Sequence, residues 1–335
     1  MTRTPSVLLQ STHDSAANHS ASNQPGTNQP ATDSFQPHQV DIDCTLDYEV
    51  IEPSEMIVQM QAAEHPWQTL ENESLSLIPG DLAVEYFRDA TGMNRLMRFS
   101  VEPGHLQLRY QLTATLTMPQ RDLSLPEMDI SDIPSECLHY LLPSRYCESE
   151  LIGPMARRTF GHLPRGAARV EAMCDWIHEH IAYEVGSSHF TMTARDVLMN
   201  RAGVCRDFAH LGVAFCRALN IPARFVFGYM EFDDPPPDFH ALFEAYVGGQ
   251  WMLFDATRMG KLEKLVRIGT GVDAKDVAFA TIYGNVRMNY MKPLVQDHRP
   301  GEPVVFHEVD SYIGCPQGGP IRGETGNGAL EVEQP

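Results

Sequence analysis

The chain has 335 residues, 43 % of them hydrophobic, and 25 Lys and Arg against 44 Asp and Glu give a formal net charge of −19 at pH 7. That length predicts about two domains, each able to bury a sizeable core, and the charge repels polyanions, so no nucleic-acid partner and no anionic-membrane partner is expected. No stretch approaches the roughly 18–20 apolar residues of a membrane span, and the amino terminus lacks the basic-then-apolar layout of a secretion signal, so the expected location is the cytoplasm.

Residues 1–40 are mostly Ser, Thr, Asn, Gln, Pro and Ala, with Phe35 the one aromatic and Arg3, Asp14 and Asp33 the only charges. Too little apolar surface is present to offset ordering entropy, and a disordered leader is expected. From 41 to 120 the pattern is of short period-two runs at 44–50, 56–60, 96–101 and 106–118, which predict an antiparallel, β-rich domain. Met97, Phe99 and Val101 alternate with polar neighbours, Pro103 and Gly104 make a turn, and Leu106, Leu108, Tyr110 and Leu112 resume the alternation. This domain offers no nucleophile with a base.

After a Pro-containing segment at 123–134 the period becomes helical. Val170, Met173, Cys174, Ile177 and Ile181 form one helical stripe. Thr193, with Asp196 three residues on, announces a second short helix, which Gly203 is expected to end. A third, over 205–219, turns Phe208, Leu211, Phe215, Cys216 and Leu219 inward and stops before Pro222. Three strands follow, at 224–229, 239–247 and 251–257. Helices followed by consecutive strands predict an α+β core over 131–297, with an extended Gly- and Pro-rich tail over 298–335.

The seven cysteines, at 44, 137, 147, 174, 205, 216 and 315, are scattered. They form neither a disulfide framework nor a closely spaced zinc pair, so no metal is expected. Cys205 stands apart, because it lies on the first turn of an apolar helix directly after Gly203-Val204. The unpaired N–H groups and the positive dipole end there favour a thiolate, but the dipole supplies only about 0.3–1 kcal/mol. An ordinary thiol is only a few per cent ionised at neutral pH, so a base is required.

Gly248-Gly249 is a two-residue hairpin loop of the kind that favours I′ or II′ geometry. If Val247 pairs with Gln250, Leu242 opposes Asp255 and His240 opposes Thr257, which makes His240 and Asp255 diagonal neighbours on one face. A slip of one residue would separate them. The derived register therefore yields an imidazole–carboxylate pair that fixes the tautomer and leaves the second ring nitrogen for a thiol. Each of the three residues has an ordinary structural explanation by itself, but helix-start Cys, hairpin His and same-face Asp are separate requirements of one mechanism.

The rivals are weaker. His178 and His180 point about 200° apart on a helix and cannot chelate together, and His210 lies about 140° around the axis from Cys205. Cys147, Cys174 and Cys216 read as structural thiols, and Gly269 and Gly271 lack the ending of a phosphate loop. Glu231, Asp233, Asp234 and Asp238 flank Pro235, Pro236 and Pro237 just before His240, an acidic, stiff loop expected to attract cationic substrates at the rim of the site.

The run Arg201-Ala202-Gly203-Val204-Cys205-Arg206-Asp207-Phe208-Ala209-His210-Leu211, followed by Asp238-Phe239-His240-Ala241 and Phe254-Asp255-Ala256-Thr257-Arg258, resembles the bacterial branch of the transglutaminase-like superfamily. The resemblance covers 131–297, and more weakly the β-rich part. It implies a papain-like transglutaminase core, with Cys205 as nucleophile, His240 as base and then acid, and Asp255 as the orienting carboxylate. It also implies a thioester intermediate formed on a peptide or amide substrate, with no cofactor. Animal transglutaminases carry Gly-Gln-Cys-Trp where this chain has Gly203-Val204-Cys205-Arg206. Hydrolysis, as in the superfamily's candidate cysteine proteases, is slightly favoured over transamidation because water needs no second binding site. De-N-glycosylating relatives carry paired zinc cysteines that this chain lacks. The reading of another class is a peptide-binding scaffold without catalysis.

Overall fold

In β1 (His38–Val50) Val40, Ile42, Cys44, Leu46 and Tyr48 are buried on one face and Asp41, Asp43 and Asp47 line the other. This period of two is seen in the computed structural model, which describes residues 37–232 and 238–298. Residues 1–36 of the expected leader and 299–335 of the expected tail fall outside these, as do 233–237 of the acidic loop, while 38–40 belong to β1 and 298 ends the last strand. β2 (Ser54–Val58), β3 (Gln68–Ile78), β4 (Glu85–Arg88), β5 (Arg95–Val101) and β6 (Gly104–Leu116) follow. β1 pairs antiparallel with β6, so Ile42 opposes Leu112, Cys44 opposes Tyr110 and Leu46 opposes Leu108. On the polar face Thr113 donates to Asp41 at 2.6 Å and Arg109 to Asp43 at 2.9 Å, cross-strand pairs that hold this register.

The helical part comprises α1 (Ser149–Phe160), α2 (Ala167–His180), α3 (Ala194–Asn200) and α4 (Cys205–Ala218). β7 (Ala182–Tyr183) and β8 (Ala202–Gly203) form a short parallel pair among them. Thr193 and Asp196 make the expected capping box: the Asp196 N–H donates to Thr193 Oγ1, and the Thr193 N–H donates to the Asp196 carboxylate at 3.0 Å. The expectation that Gly203 ends this helix is corrected. α3 stops at Asn200, with Arg201 in the left-handed region (φ 58°), and Gly203 lies in β8. A Cβ at 203 would come 2.8 Å from Asp207 Cβ, so glycine is needed there for the close approach of α4's first turn.

β9 (Ala223–Met230), β10 (Asp238–Val247), β11 (Gln250–Phe254) and β12 (Val266–Gly271) form an antiparallel sheet in the order β11-β10-β9-β12. The third strand is shorter than expected: it ends at Phe254, and Asp255 and Thr257 lie just past it. α4 packs on this sheet and shares a core with α1 and α2 that includes Phe208, Leu211, Phe215, Phe243 and Phe254. β13 (Ala280–Tyr283) and β14 (Val286–His298) turn back to the β-rich part, where they pair with β2 and β1 respectively. Its two sheets run β14-β1-β6-β3 and β13-β2-β5-β4. Helices on antiparallel sheets, with a β-rich amino-terminal region, make the fold α+β.

The β-rich part covers the β12 edge of the four-stranded sheet. Gln68 accepts from the Arg267 N–H at 2.9 Å and donates to the Arg267 carbonyl at 2.9 Å, while Asn94 makes the same reciprocal pair with Thr270. Side-chain amides thus satisfy backbone groups that an open edge would expose. Behind the sheet, Glu244 of β10 is fully buried between Arg224 (2.6 Å) and Arg267 (2.5 Å), one salt-bridged cluster spanning β9, β10 and β12. Burial raises the carboxyl, but the Arg267 and Arg224 guanidinium groups outweigh it and hold its pKa at about 2. A depressed folded value contributes stability at neutral pH that is lost as pH falls from about 4.5 towards 2. Glu244→Gln strands two buried cations and is expected to lower unfolding free energy by about 3–5 kcal/mol in urea titration; a loss under about 1 kcal/mol would contradict this role.

Candidate active site

Three elements bring the site together. The Gly248-Gly249 loop has φ values of 58° and 79°, the signs a type I′ turn demands, and Val247 pairs with Gln250 as the sequence predicts. In the resulting hairpin His240 Nε2 lies 3.0 Å from Asp255 Oδ2, and both residues are buried. The other carboxylate oxygen, Oδ1, accepts from the Thr257 N–H at 2.8 Å and from Thr257 Oγ1 at 2.7 Å. Both oxygens are occupied, which fixes the carboxylate plane against the ring. Thr257 Oγ1 is also 3.4 Å from His240 Nε2. The sequence places Thr257 opposite His240, but its double hydrogen bond to Asp255 emerges only from the fold.

Cys205 is the first residue of α4 and is buried, at 7 % exposed, in a helix whose next residues are buried as well. The helix start is tied by Asp207, whose carboxylate accepts from the Val204 N–H at 3.0 Å and is paired with Arg206 at 3.1 Å. An acidic group in a first turn complements the helix dipole, and the Arg206 cation neutralises this one next to the thiol. Nothing in the sequence pattern singled out Asp207 and Arg206 for this task, although the Asp three residues after an N-cap position was the available signal.

His240 Nδ1 is buried without a hydrogen-bond partner, and Cys205 lies close enough to contribute to the ring's titration. Burial opposes a charged ring. The Asp255 carboxylate, by charge and hydrogen bond, and then Cys205 overcome that penalty and raise the imidazolium to about 10. Burial likewise pushes Asp255 upward, but the His240 charge and hydrogen bond, with those of Thr257, leave it below its ordinary value.

The rival residues lie elsewhere. His178 and His180 are exposed on α2. His210 is fully buried, accepts from the Ala274 N–H at 3.2 Å through Nε2, and stacks on Tyr146; burial, aided by Arg206 and Arg217, pushes its imidazolium well below the ordinary value. Burial raises Cys147 to about 12 and Cys174 and Cys216 well above an ordinary thiol. Among the described residues, no group of three or more His, Cys, Asp or Glu is placed to hold a metal ion, and no helix is long and apolar enough to cross a membrane.

Residues 154–256 match the family model described as the transglutaminase-like superfamily. The solved structure titled "a Putative Cysteine Protease from Cytophaga hutchinsonii" is 36 % identical, with a TM-score of 0.74 over 82 % of this chain and 95 % of that one. This chain belongs to the transglutaminase-like superfamily. An uncharacterized protein of Mycobacterium leprae is 32 % identical over 127 residues, 35 % of this chain and 44 % of that protein. An uncharacterized Mycobacterium tuberculosis protein is 40 % identical over 60 residues, 18 % and 19 % of the two chains. These matches span less than half the length of the mycobacterial relatives. The transglutaminase-like fold and the Cytophaga relative support cysteine-based catalysis in general.

Proposed function

We propose that the chain is a thiol-dependent acyl-transfer enzyme acting on peptide or amide carbonyls, with hydrolysis as its slightly favoured outcome. The observation that carries this reading is the His240–Asp255 contact at 3.0 Å through Nε2, with Nδ1 left without a hydrogen-bond partner and Cys205 at a helix start near enough to affect the ring's titration. With the imidazolium raised to about 10, the proton rests on His240 at neutral pH as sulfur attacks the carbonyl carbon. The S–C bond forms, and collapse of the tetrahedral intermediate breaks the C–N bond while His240 returns the proton to the leaving amine. Water, deprotonated by the same ring, then displaces sulfur, releasing the acid and restoring the thiol. The Cys205 N–H, at the first position of α4, is suited to stabilise the oxyanion of both intermediates. Asp255 holds the ring and balances its charge throughout.

Transamidation differs only in the second acceptor, an amine in place of water. The substrate we favour is a peptide or protein, with a preference for cationic ones. The experiment is incubation with a glutamine-containing peptide library, with and without a primary amine, read by mass spectrometry. Cleaved or deamidated peptides in both samples support the hydrolase. Amine adducts support the transferase, and unchanged peptides that nevertheless bind support the scaffold.

A further inference from the structure

The segment from Tyr183, the last residue of β7, to Phe190 is held by hydrogen bonds yet presents apolar side chains to solvent. Tyr183, Val185 and Phe190 are 37 %, 56 % and 48 % exposed, three large hydrophobic residues within eight positions. Single exposed apolar residues are unremarkable, but a concentration on one segment marks a contact surface. The segment is not loose. Arg206 donates to Ser188 Oγ at 2.6 Å and to the His189 carbonyl at 2.7 Å, and Tyr146 Oη donates to the Phe190 carbonyl at 2.9 Å. Arg206 is the residue directly after Cys205, so the segment is fastened to the nucleophile's own helix.

The register is more specific still. β7 and β8 run parallel with Ala182 beside Ala202 and Tyr183 beside Gly203, and the Glu184 N–H continues the ladder to the Gly203 carbonyl at 3.0 Å. The ladder ends two residues before Cys205 and the Arg206 contacts to Ser188 and His189 begin one residue after it, so the turn that carries Val185 is bonded on both sides of the start of α4. We propose that Val185 and Phe190, with Tyr183, form the wall that receives an apolar side chain of the acyl donor next to the Cys205 sulfur. This rests on Cys205 being the nucleophile and adds the substrate class: peptides or amides with an aromatic or aliphatic group adjoining the reacting carbonyl. A thioester at Cys205 places its acyl substituent against this wall, where burial of apolar surface favours it over a polar one.

The test compares alkylation of Cys205 by iodoacetamide and by N-phenethyl iodoacetamide, in which sulfur displaces iodide in both cases. Rates are divided by those for free cysteine and resolved by peptide mass spectrometry. The native chain is expected to prefer the phenethyl reagent roughly tenfold, the scale that partial burial of a phenyl ring supplies. Val185→Ser and Phe190→Ser should each reduce that preference, and the double substitution should bring it to about one, while Met199→Ser, an exposed residue on α3, should leave it in place. A native ratio near one, or a preference unchanged in the double variant, would overturn the wall. Failure of iodoacetamide itself to label Cys205 ahead of the other cysteines would instead overturn the nucleophile, and the wall with it.

Discussion

Cys205→Ala is expected to lower kcat by roughly a millionfold, because every bond change in the proposed cycle passes through its sulfur and no second group can take that place. The sulfurs of Cys147, Cys174 and Cys216 are fully buried and their acidity is suppressed by burial, so none of these three can substitute. Cys205 is buried, so thermal unfolding of the variant is followed in parallel and separates loss of chemistry from loss of fold. The measurement is turnover of a peptide found active in the library screen, alongside thermal unfolding. Activity within tenfold of the native chain, with the fold intact, would assign the reaction to another residue.

Asp255→Asn is expected to lower kcat by about 10⁴-fold while leaving the hairpin in place, since an amide cannot balance the ring's charge and can favour the wrong tautomer. The effect has a signature that a merely structural role would not give. Asp255 is the main group overcoming the burial penalty on the His240 imidazolium, so its neutralisation should bring the ring's titration well below about 10, as followed by NMR of labelled histidine. A raised folded value contributes stability that is complete below the ordinary value of about 6.5 and is lost as pH rises towards 10. The native chain should therefore lose stability across that window, and the variant should show a flatter profile. An unmoved histidine titration would contradict the pairing even if activity fell.

The parts of the molecule that were legible in its sequence are those governed by local rules. Period-two alternation marks β1 and β6, the Thr193–Asp196 spacing marks α3, and the diglycine turn sets the register that joins His240 to Asp255. Elements whose local pattern is contradicted by tertiary demands were not legible. β3 is largely polar, and its alternation breaks where the pairing shifts between Glu71 and Ser74, with Asn72 at positive φ. α1 contains Gly153 and Pro154 and still forms, because Ile152, Ala156 and Phe160 pack into the helical core. β14 carries Pro293, tolerated because the strand is the edge of its sheet. The same division holds in the site. The His240–Asp255 pair and the helix-start position of Cys205 could be read from spacing, whereas the Thr257 support and the Arg206 tether to Ser188 and His189 depend on contacts between segments far apart in order.

The β-rich region has a structural role that follows from the same contacts. Gln68 and Asn94 seal the β12 edge, Tyr229 donates to the Met60 carbonyl at 2.7 Å, and the shared apolar cluster runs from Leu46 and Tyr110 to Phe239 and Cys205. The sheet that carries His240 is thereby braced from the side opposite its hairpin.

The most direct test is the site-resolved rate of iodoacetamide alkylation at neutral pH in the native chain and in His240→Ala. Cooperation between the ring and the sulfur predicts that Cys205 is labelled well ahead of the other six cysteines and that the advantage disappears in the variant. Equal labelling of all seven, or a Cys205 rate indifferent to loss of the imidazole, would contradict it.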